Sequence, residues 1–200
     1  MDWLVPGHLR EHTPHAYGPA YRPERVKPVE AVVVHYTASP MGSGPLGSDE
    51  RRIRRWLSGG SSESSTHLVI LRDGTTLQGA SLEQRTWHAG RSSLTLPDGR
   101  VLDGLNACSI GVDLENVGRL TDMDGELVNA YGGAYTGPAP YIAEGGKLWE
   151  PYTAEQYGAL VMLLSALRRR FPVIEDSRRI VGHCDVSPGR KVDPGPALCW

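Results

Sequence analysis

Nine residues, Val29–Thr37 (VEAVVVHYT), constrain the fold most. A β-branched run of this kind reads as a strand buried in a sheet, and it stops at a polar cluster. Asp49–Leu57 places Ile53, Trp56 and Leu57 at helical spacing behind Ser48 or Asp49 as N-cap. His67–Leu71 and Thr75–Gly79 flank Asp73-Gly74, a hairpin signal. Ser109–Asn116 (SIGVDLEN) reads as a central strand. Thr153–Arg170 is the clearest helix, opened by a Thr153/Gln156 capping box and stopped before Pro172. Arg179–His183 reads as a last short strand. Strands alternating with two helices give an α/β class: a single domain with a mixed central β-sheet flanked by helices.

Residues 1–28 lack periodicity and read as an irregular N-terminal arm, leaving 29–200 as the folded domain. Gly59–Ser65 reads as a flexible linker, and 117–151 as a long loop insertion. The 200 residues suffice for one hydrophobic core. A net charge of −2 supplies no overall basic field, so nucleic acid is not an expected partner. The three cysteines, Cys108, Cys184 and Cys199, form no CxxC pair, and neither a disulfide framework nor a thiolate cluster is implied. The start, MDWLVPGHLREHTPH, lacks the charged and apolar regions of a secretory signal peptide, and no apolar run reaches the ~18–20 residues of a membrane span. The expectation is a chain synthesised in the cytoplasm without a signal peptide. No P-loop, other Gly-rich phosphate loop or GxSxG elbow occurs.

Of the seven histidines, His8, His12 and His15 sit in the arm and receive no chemical role. His35 ends an apolar strand, the rim where open α/β sheets place ligands. His183 also ends a strand in this reading, and Asp193 follows ten residues on. Two imidazoles and a carboxylate make a suitable catalytic zinc set with a fourth position left for water. Lys191 lies between them, and Pro188, Pro194 and Pro196 restrict the loop. Spacing alone leaves both a metal site and a hydrogen-bonded polar cluster open.

The segment GHCDVSPGRKVDPGP (Gly182–Pro196) resembles the metal-binding signature of the type 2 N-acetylmuramoyl-L-alanine amidases. That family includes AmpD-type enzymes, phage amidase lysozymes and peptidoglycan recognition proteins. VVVHYTA (32–38), THLVILRDG (66–74), TWHAGRS (86–92) and NACSIGVDLEN (106–116) follow the family's order, so the resemblance spans about 29–197. It implies the peptidoglycan recognition protein-like fold, with 29–200 as the catalytic domain. It implies one zinc ion per chain held by His35, His183 and Asp193. Lys191 would stabilise the developing oxyanion, Asp113 would handle the proton, and His67, Trp87 and His88 would line the substrate groove. The implied reaction is hydrolysis of the amide between N-acetylmuramic acid and the L-alanine of the stem peptide, on peptidoglycan or a muropeptide, by a monomer.

One departure concerns Asp113, where AmpD-type enzymes usually carry Glu. Glu115 lies two residues on and would share its side of a strand, so either carboxylate serves in principle, with Asp113 favoured. The competing reading is a non-catalytic peptidoglycan-binding module. Such proteins typically lack one ligand, and here all three positions are filled. Phage endolysin, cell-wall recycling enzyme and secreted effector all remain open as roles; the first would reach the wall by holin-assisted lysis, others by another export route. The 117–151 segment resembles an insertion in some members, where it would shape the groove. Arg51, Arg52, Arg54 and Arg55 read as a solvated helix face, Arg168–Arg170 as a complement to the helix dipole, and Cys184 as pointing away from the ligands on the opposite strand face.

Overall fold

The computed structural model describes residues 9–11, 24–58 and 64–199. In chain order the elements are β1 (Leu9–Glu11), β2 (Ala31–Tyr36), α1 (Glu50–Leu57), β3 (Leu68–Ile70), β4 (Thr76–Gln78), β5 (Ser93–Thr95), β6 (Val101–Asp103) and β7 (Ser109–Leu114). They continue with β8 (Arg119–Met123), β9 (Glu126–Val128), β10 (Tyr141–Ile142), β11 (Leu148–Trp149), α2 (Ala154–Arg170), β12 (Ile180–Gly182) and α3 (His183–Val186). The central sheet runs β1-β4-β3-β7-β2-β12, and every neighbouring pair is parallel except β3–β4. The mixed α/β architecture is the one expected.

Strand alternation sorts the sheet's two faces. Val32, Val34, Ile110, Val112 and Leu114 face α2, where Leu160, Leu163 and Leu167 complete the main core. Each such leucine contributes about 1.5–3 kcal/mol relative to exposure. The helix starts where the capping box places it: Gln156 N–H donates to Thr153 Oγ1 at 3.0 Å and Thr153 N–H to Gln156 Oε1 at 3.2 Å. Gln156 Nε2 also donates to the Glu115 carbonyl at 2.8 Å, so the helix start is docked on the end of β7. On the other face, Ile53 and Leu57 of α1 cover Val69, Leu71 and Leu77, while Ala89, Leu105 and Val186 cover Val33. Between these two apolar patches the same face carries His35 and Asp113, register partners on β2 and β7.

Four expectations need correction. The arm is not wholly irregular: β1 pairs with β4 (Leu9↔Thr76 to Glu11↔Gln78), and Glu24 bridges Gln84. His8, His12 and His15 lie outside the described residues, as do residues 59–63 of the expected linker. The 117–151 segment is not a loop but carries an antiparallel sheet in the order β10-β11-β8-β9. Its strands span only two to five residues, too few to show a period, and buried Trp149 anchors it to the main core. The β5–β6 hairpin went unread, although Pro97-Asp98-Gly99, with Gly99 at φ 83°, marks its turn. Finally, His183 does not end a strand. Gly182 N–H donates to Asp185 Oδ2 at 2.7 Å and the chain turns into α3 at His183. Cys184 therefore sits on a helical turn, half-buried, its Sγ beside Asp185 rather than across a strand.

Candidate metal and catalytic site

Parallel pairing brings the site together from distant sequence. His35 comes from the end of β2, Asp113 from β7 beside it, and β12, on β2's other edge, delivers His183. The loop after α3 returns Asp193, tied down where Cys184 N–H donates to its carbonyl at 2.8 Å. His35 Nδ1, His183 Nδ1 and Asp193 Oδ2 then lie 2.9–3.0 Å from one another, and all three residues are buried.

The ring protons of both histidines have outward partners. His183 Nε2 faces the Ala89 carbonyl at 3.1 Å, which only accepts, and His35 Nε2 faces His88 Nδ1 at 3.0 Å. The His183 Nδ1 lone pair accordingly turns inward with the carboxylate, and that of His35 does the same when His88 Nδ1 accepts from His35 Nε2. Three lone-pair atoms so close, with the ring protons used elsewhere, suit a shared cation. Ligands of a tetrahedral zinc at ~2.0–2.1 Å stand ~3.3 Å apart, close to the separation seen. The residues present therefore fit a zinc ion.

The trio lies on the floor of an open cavity of about 590 Å³. Arg52, Ile53 and Trp56 of α1 form one wall, Ala130 and Tyr131 of the insertion another, and Arg190, Lys191 and Val192 a third. Asp113 and His88 complete the floor. Burial raises the Asp113 carboxyl above its ordinary value, an effect that nearby His35 and Thr66 only partly oppose. Thr66 Oγ1 is close enough to favour the charged carboxylate, yet it makes no hydrogen bond of ordinary geometry.

A family model described as N-acetylmuramoyl-L-alanine amidase matches residues 25–196. The chain belongs to this family. The 1,6-anhydro-N-acetylmuramyl-L-alanine amidase AmpD of Citrobacter freundii is 32% identical over 136 residues, which make up 68% of this chain and 53% of that protein. The AmpD of Enterobacter cloacae is 34% identical over the same share of each. The chain thus spans about half the length of the relatives it matches. A crystal structure of a selenomethionine AmpD derivative superposes with a TM-score of 0.66 at 25% identity, covering 100% of this chain and 94% of that one. AmpDh3 from Pseudomonas aeruginosa, in complex with anhydromuramic pentapeptide, superposes with a TM-score of 0.58 at 27% identity, over 86% and 57%.

Within this amidase frame, not every residue expected at the groove lies there. His67 is fully buried: its Nδ1 accepts from the Gly111 N–H at 2.9 Å, its Nε2 faces the Gln84 carbonyl at 3.0 Å, and it does not line the cavity. Trp87 is half-buried under the Arg85 guanidinium, 4.1 Å from its ring, and is also absent from the cavity wall. Glu115 does not line the cavity with Asp113, because the segment leading into α1 covers its carboxylate. Its carboxylate accepts from Asp49 N–H (2.7 Å), Ser48 Oγ (2.7 Å) and Arg72 N–H (3.2 Å), and pairs with the buried Arg72 guanidinium at 3.2 Å. Arg52 stays on the solvated face expected of α1, paired with Asp49 at 3.3 Å, and also borders the cavity.

Several site residues went unread. Arg190 Nη2 shares its two protons among the Ala89 and Arg91 carbonyls, both at 2.8 Å, and Ser187 Oγ at 2.6 Å, clamping the loop beside His183. Its place beside Lys191 was visible in the sequence; its partners were not. Tyr131 carried no sequence signal beyond residue type, while Trp56 was marked only by helical spacing and Thr66 only as the start of THLVILRDG.

Proposed function

We propose that this chain is a zinc-dependent amidase that hydrolyses the bond between N-acetylmuramic acid and the L-alanine of the stem peptide. The observation that carries the reading is the inward-facing trio of His35 Nδ1, His183 Nδ1 and Asp193 Oδ2, on a cavity floor shared with buried Asp113. A zinc ion held by these three residues supplies Lewis acidity toward the scissile carbonyl and toward water. Asp113 takes a proton from the attacking water and returns it to the alanine nitrogen as that group leaves. A carboxyl whose burial favours its protonated form suits both halves of that transfer. Lys191, on the cavity wall, places its ammonium against the charge that develops on the carbonyl oxygen. Arg190 holds the loop that carries both Lys191 and Asp193.

The AmpD relatives are named for a 1,6-anhydro sugar, and AmpDh3 holds an anhydromuramic pentapeptide. We read muropeptides of this type as the substrate class. A pure binding module of the same fold is disfavoured by the three ligand-type residues and by Asp113 buried beside them.

The test is bound zinc by atomic spectroscopy, together with mass spectrometry of products from soluble anhydromuropeptides and from intact sacculi. About one zinc per chain with release of stem peptide supports the proposal. Zinc without release leaves a binding module. Cleavage of sacculi would favour a wall-lytic role, and cleavage restricted to soluble substrate a recycling role.

A further inference from the structure

We infer that His88 is a positioning residue: it holds the His35 ring in the tautomer that presents a bare Nδ1 to the trio, through a relay ending on the Leu105 carbonyl. This rests on the zinc reading of the site. The polarity of the relay is set at its far end. The Leu105 carbonyl can only accept, and Ser109 Oγ lies 2.6 Å from it, so the single hydroxyl proton of Ser109 is committed there. Toward His88 Nε2, 3.2 Å away, Ser109 Oγ can then only accept, and Nε2 carries the ring proton of His88. His88 Nδ1 is left as an acceptor and receives the His35 Nε2–H at 3.0 Å. His35 Nδ1 is therefore unprotonated where it faces His183 Nδ1 and Asp193 Oδ2, each at 3.0 Å. The reverse polarity would turn the Ser109 proton toward His88 and leave two oxygens 2.6 Å apart with no proton between them.

The seat of the ring is built for this. A Cβ at Gly111 would meet His88 Cγ at 2.7 Å, so the glycine in β7 is what admits the imidazole. Asn106 Oδ1 accepts from both His88 N–H (3.0 Å) and Ala89 N–H (2.7 Å). The Ala89 carbonyl in turn faces His183 Nε2 at 3.1 Å. One dipeptide, His88-Ala89, thus orients both histidine ligands, one by side chain and one by backbone. Partners of this kind typically alter metal affinity about 10–100-fold when removed.

The full chain is titrated with zinc against a competing chelator, and the histidine tautomers of the zinc-free protein are read by nitrogen-15 NMR. His88→Leu fills the space without an acceptor and should weaken zinc about 10–100-fold, with His35 losing its preference for a proton on Nε2. His88→Asn returns an acceptor near the Nδ1 position and should recover most of that loss. Ser109→Ala should move affinity and tautomer in the same direction, less far, and decides the matter if His88→Leu does not fold. A substrate-contact role for His88 predicts instead a raised KM with unchanged zinc affinity and unchanged tautomer, which overturns the proposal. Equal weakening by Leu and Asn also overturns it, since packing alone would then explain the loss. If the wild-type chain takes up no zinc, the amidase reading fails, while the tautomer measurement still decides the relay.

Discussion

Glu115→Gln separates the two carboxylates of the SIGVDLEN strand by what each loses. The Glu115 carboxylate is fully buried and makes four contacts through two oxygens: Asp49 N–H, Ser48 Oγ, Arg72 N–H and the Arg72 guanidinium. Glutamine keeps one acceptor oxygen and turns the other into an NH₂ group facing donors. At least one buried donor is left without a partner, at about 1–3 kcal/mol each. Arg72 also loses one of its two counter-charges while keeping Glu150, whose oxygens sit 2.8 and 3.1 Å from the guanidinium. The sum should approach the ~3–5 kcal/mol typical of breaking a buried pair. At about 2–4 °C per kcal/mol for a domain of this size, the melting temperature should fall by roughly 6–20 °C. Turnover per folded, zinc-loaded molecule should stay within a few-fold of wild type. Asp113→Asn should behave in the opposite way, keeping fold and zinc and losing most turnover. Thermal melts and single-temperature assays at fixed zinc occupancy measure both. A Glu115→Gln protein that melts normally but has lost its turnover would refute the structural assignment and move the proton-handling role to Glu115.

The remaining expectations are more compact. His35→Ala and His183→Ala should each lose zinc and turnover together; full zinc at full rate in either variant would remove that residue from the ligand set. Lys191→Ala should retain zinc and lose turnover of the order of 10²–10³, by analogy with deleting one oxyanion donor, and loss of metal instead would make the lysine structural. In the zinc-free protein Asp113→Asn should melt higher than wild type at neutral pH. Burial raises the folded carboxyl above its unfolded value, so the charged form lowers stability above the folded pKa, and that penalty fades as pH falls toward the unfolded pKa. A melting gap that does not narrow between pH 8 and pH 4 contradicts this.

What was legible followed pattern length. The run at 29–37 appears as β2, and the capping box of α2 sits where Thr153 and Gln156 put it. Three-residue β1 and the strands of the insertion form through backbone pairing, with too few residues to carry a period. His183 was misplaced because RIVGH is apolar enough for a strand, while the deciding contact, Gly182 N–H to Asp185, is local and was readable as a glycine followed three residues later by an acid. The ligand-type trio was legible by residue type and resemblance. The surroundings were not, because which way a matched residue faces depends on packing. His67 and Trp87 occupy matched segments, yet one faces a strand N–H and the other lies under an arginine.

Arg72 shows how the insertion is tied to the site from behind. Its guanidinium is 1% exposed and binds the Gly47 and Ser39 carbonyls at 3.1 Å, which lie in the segment leading into α1. It also binds Glu115 at the end of β7 and Glu150 at the base of the insertion. Glu150 in turn accepts from Val117 N–H, and its carbonyl accepts from Asn116 Nδ2 at 3.3 Å, closing the insertion's two ends on one another. The walls that carry Trp56 and Tyr131 are therefore tied behind the cavity to one buried cation. Removing that cation leaves two buried carboxylates facing each other without a counter-charge. Arg72→Met should therefore loosen both walls together, raising KM for a long muropeptide more than for a minimal one, whereas Tyr131→Ala should act on one wall only. Equal KM effects of Arg72→Met on the two substrates would show that the strut supports the core and not the groove.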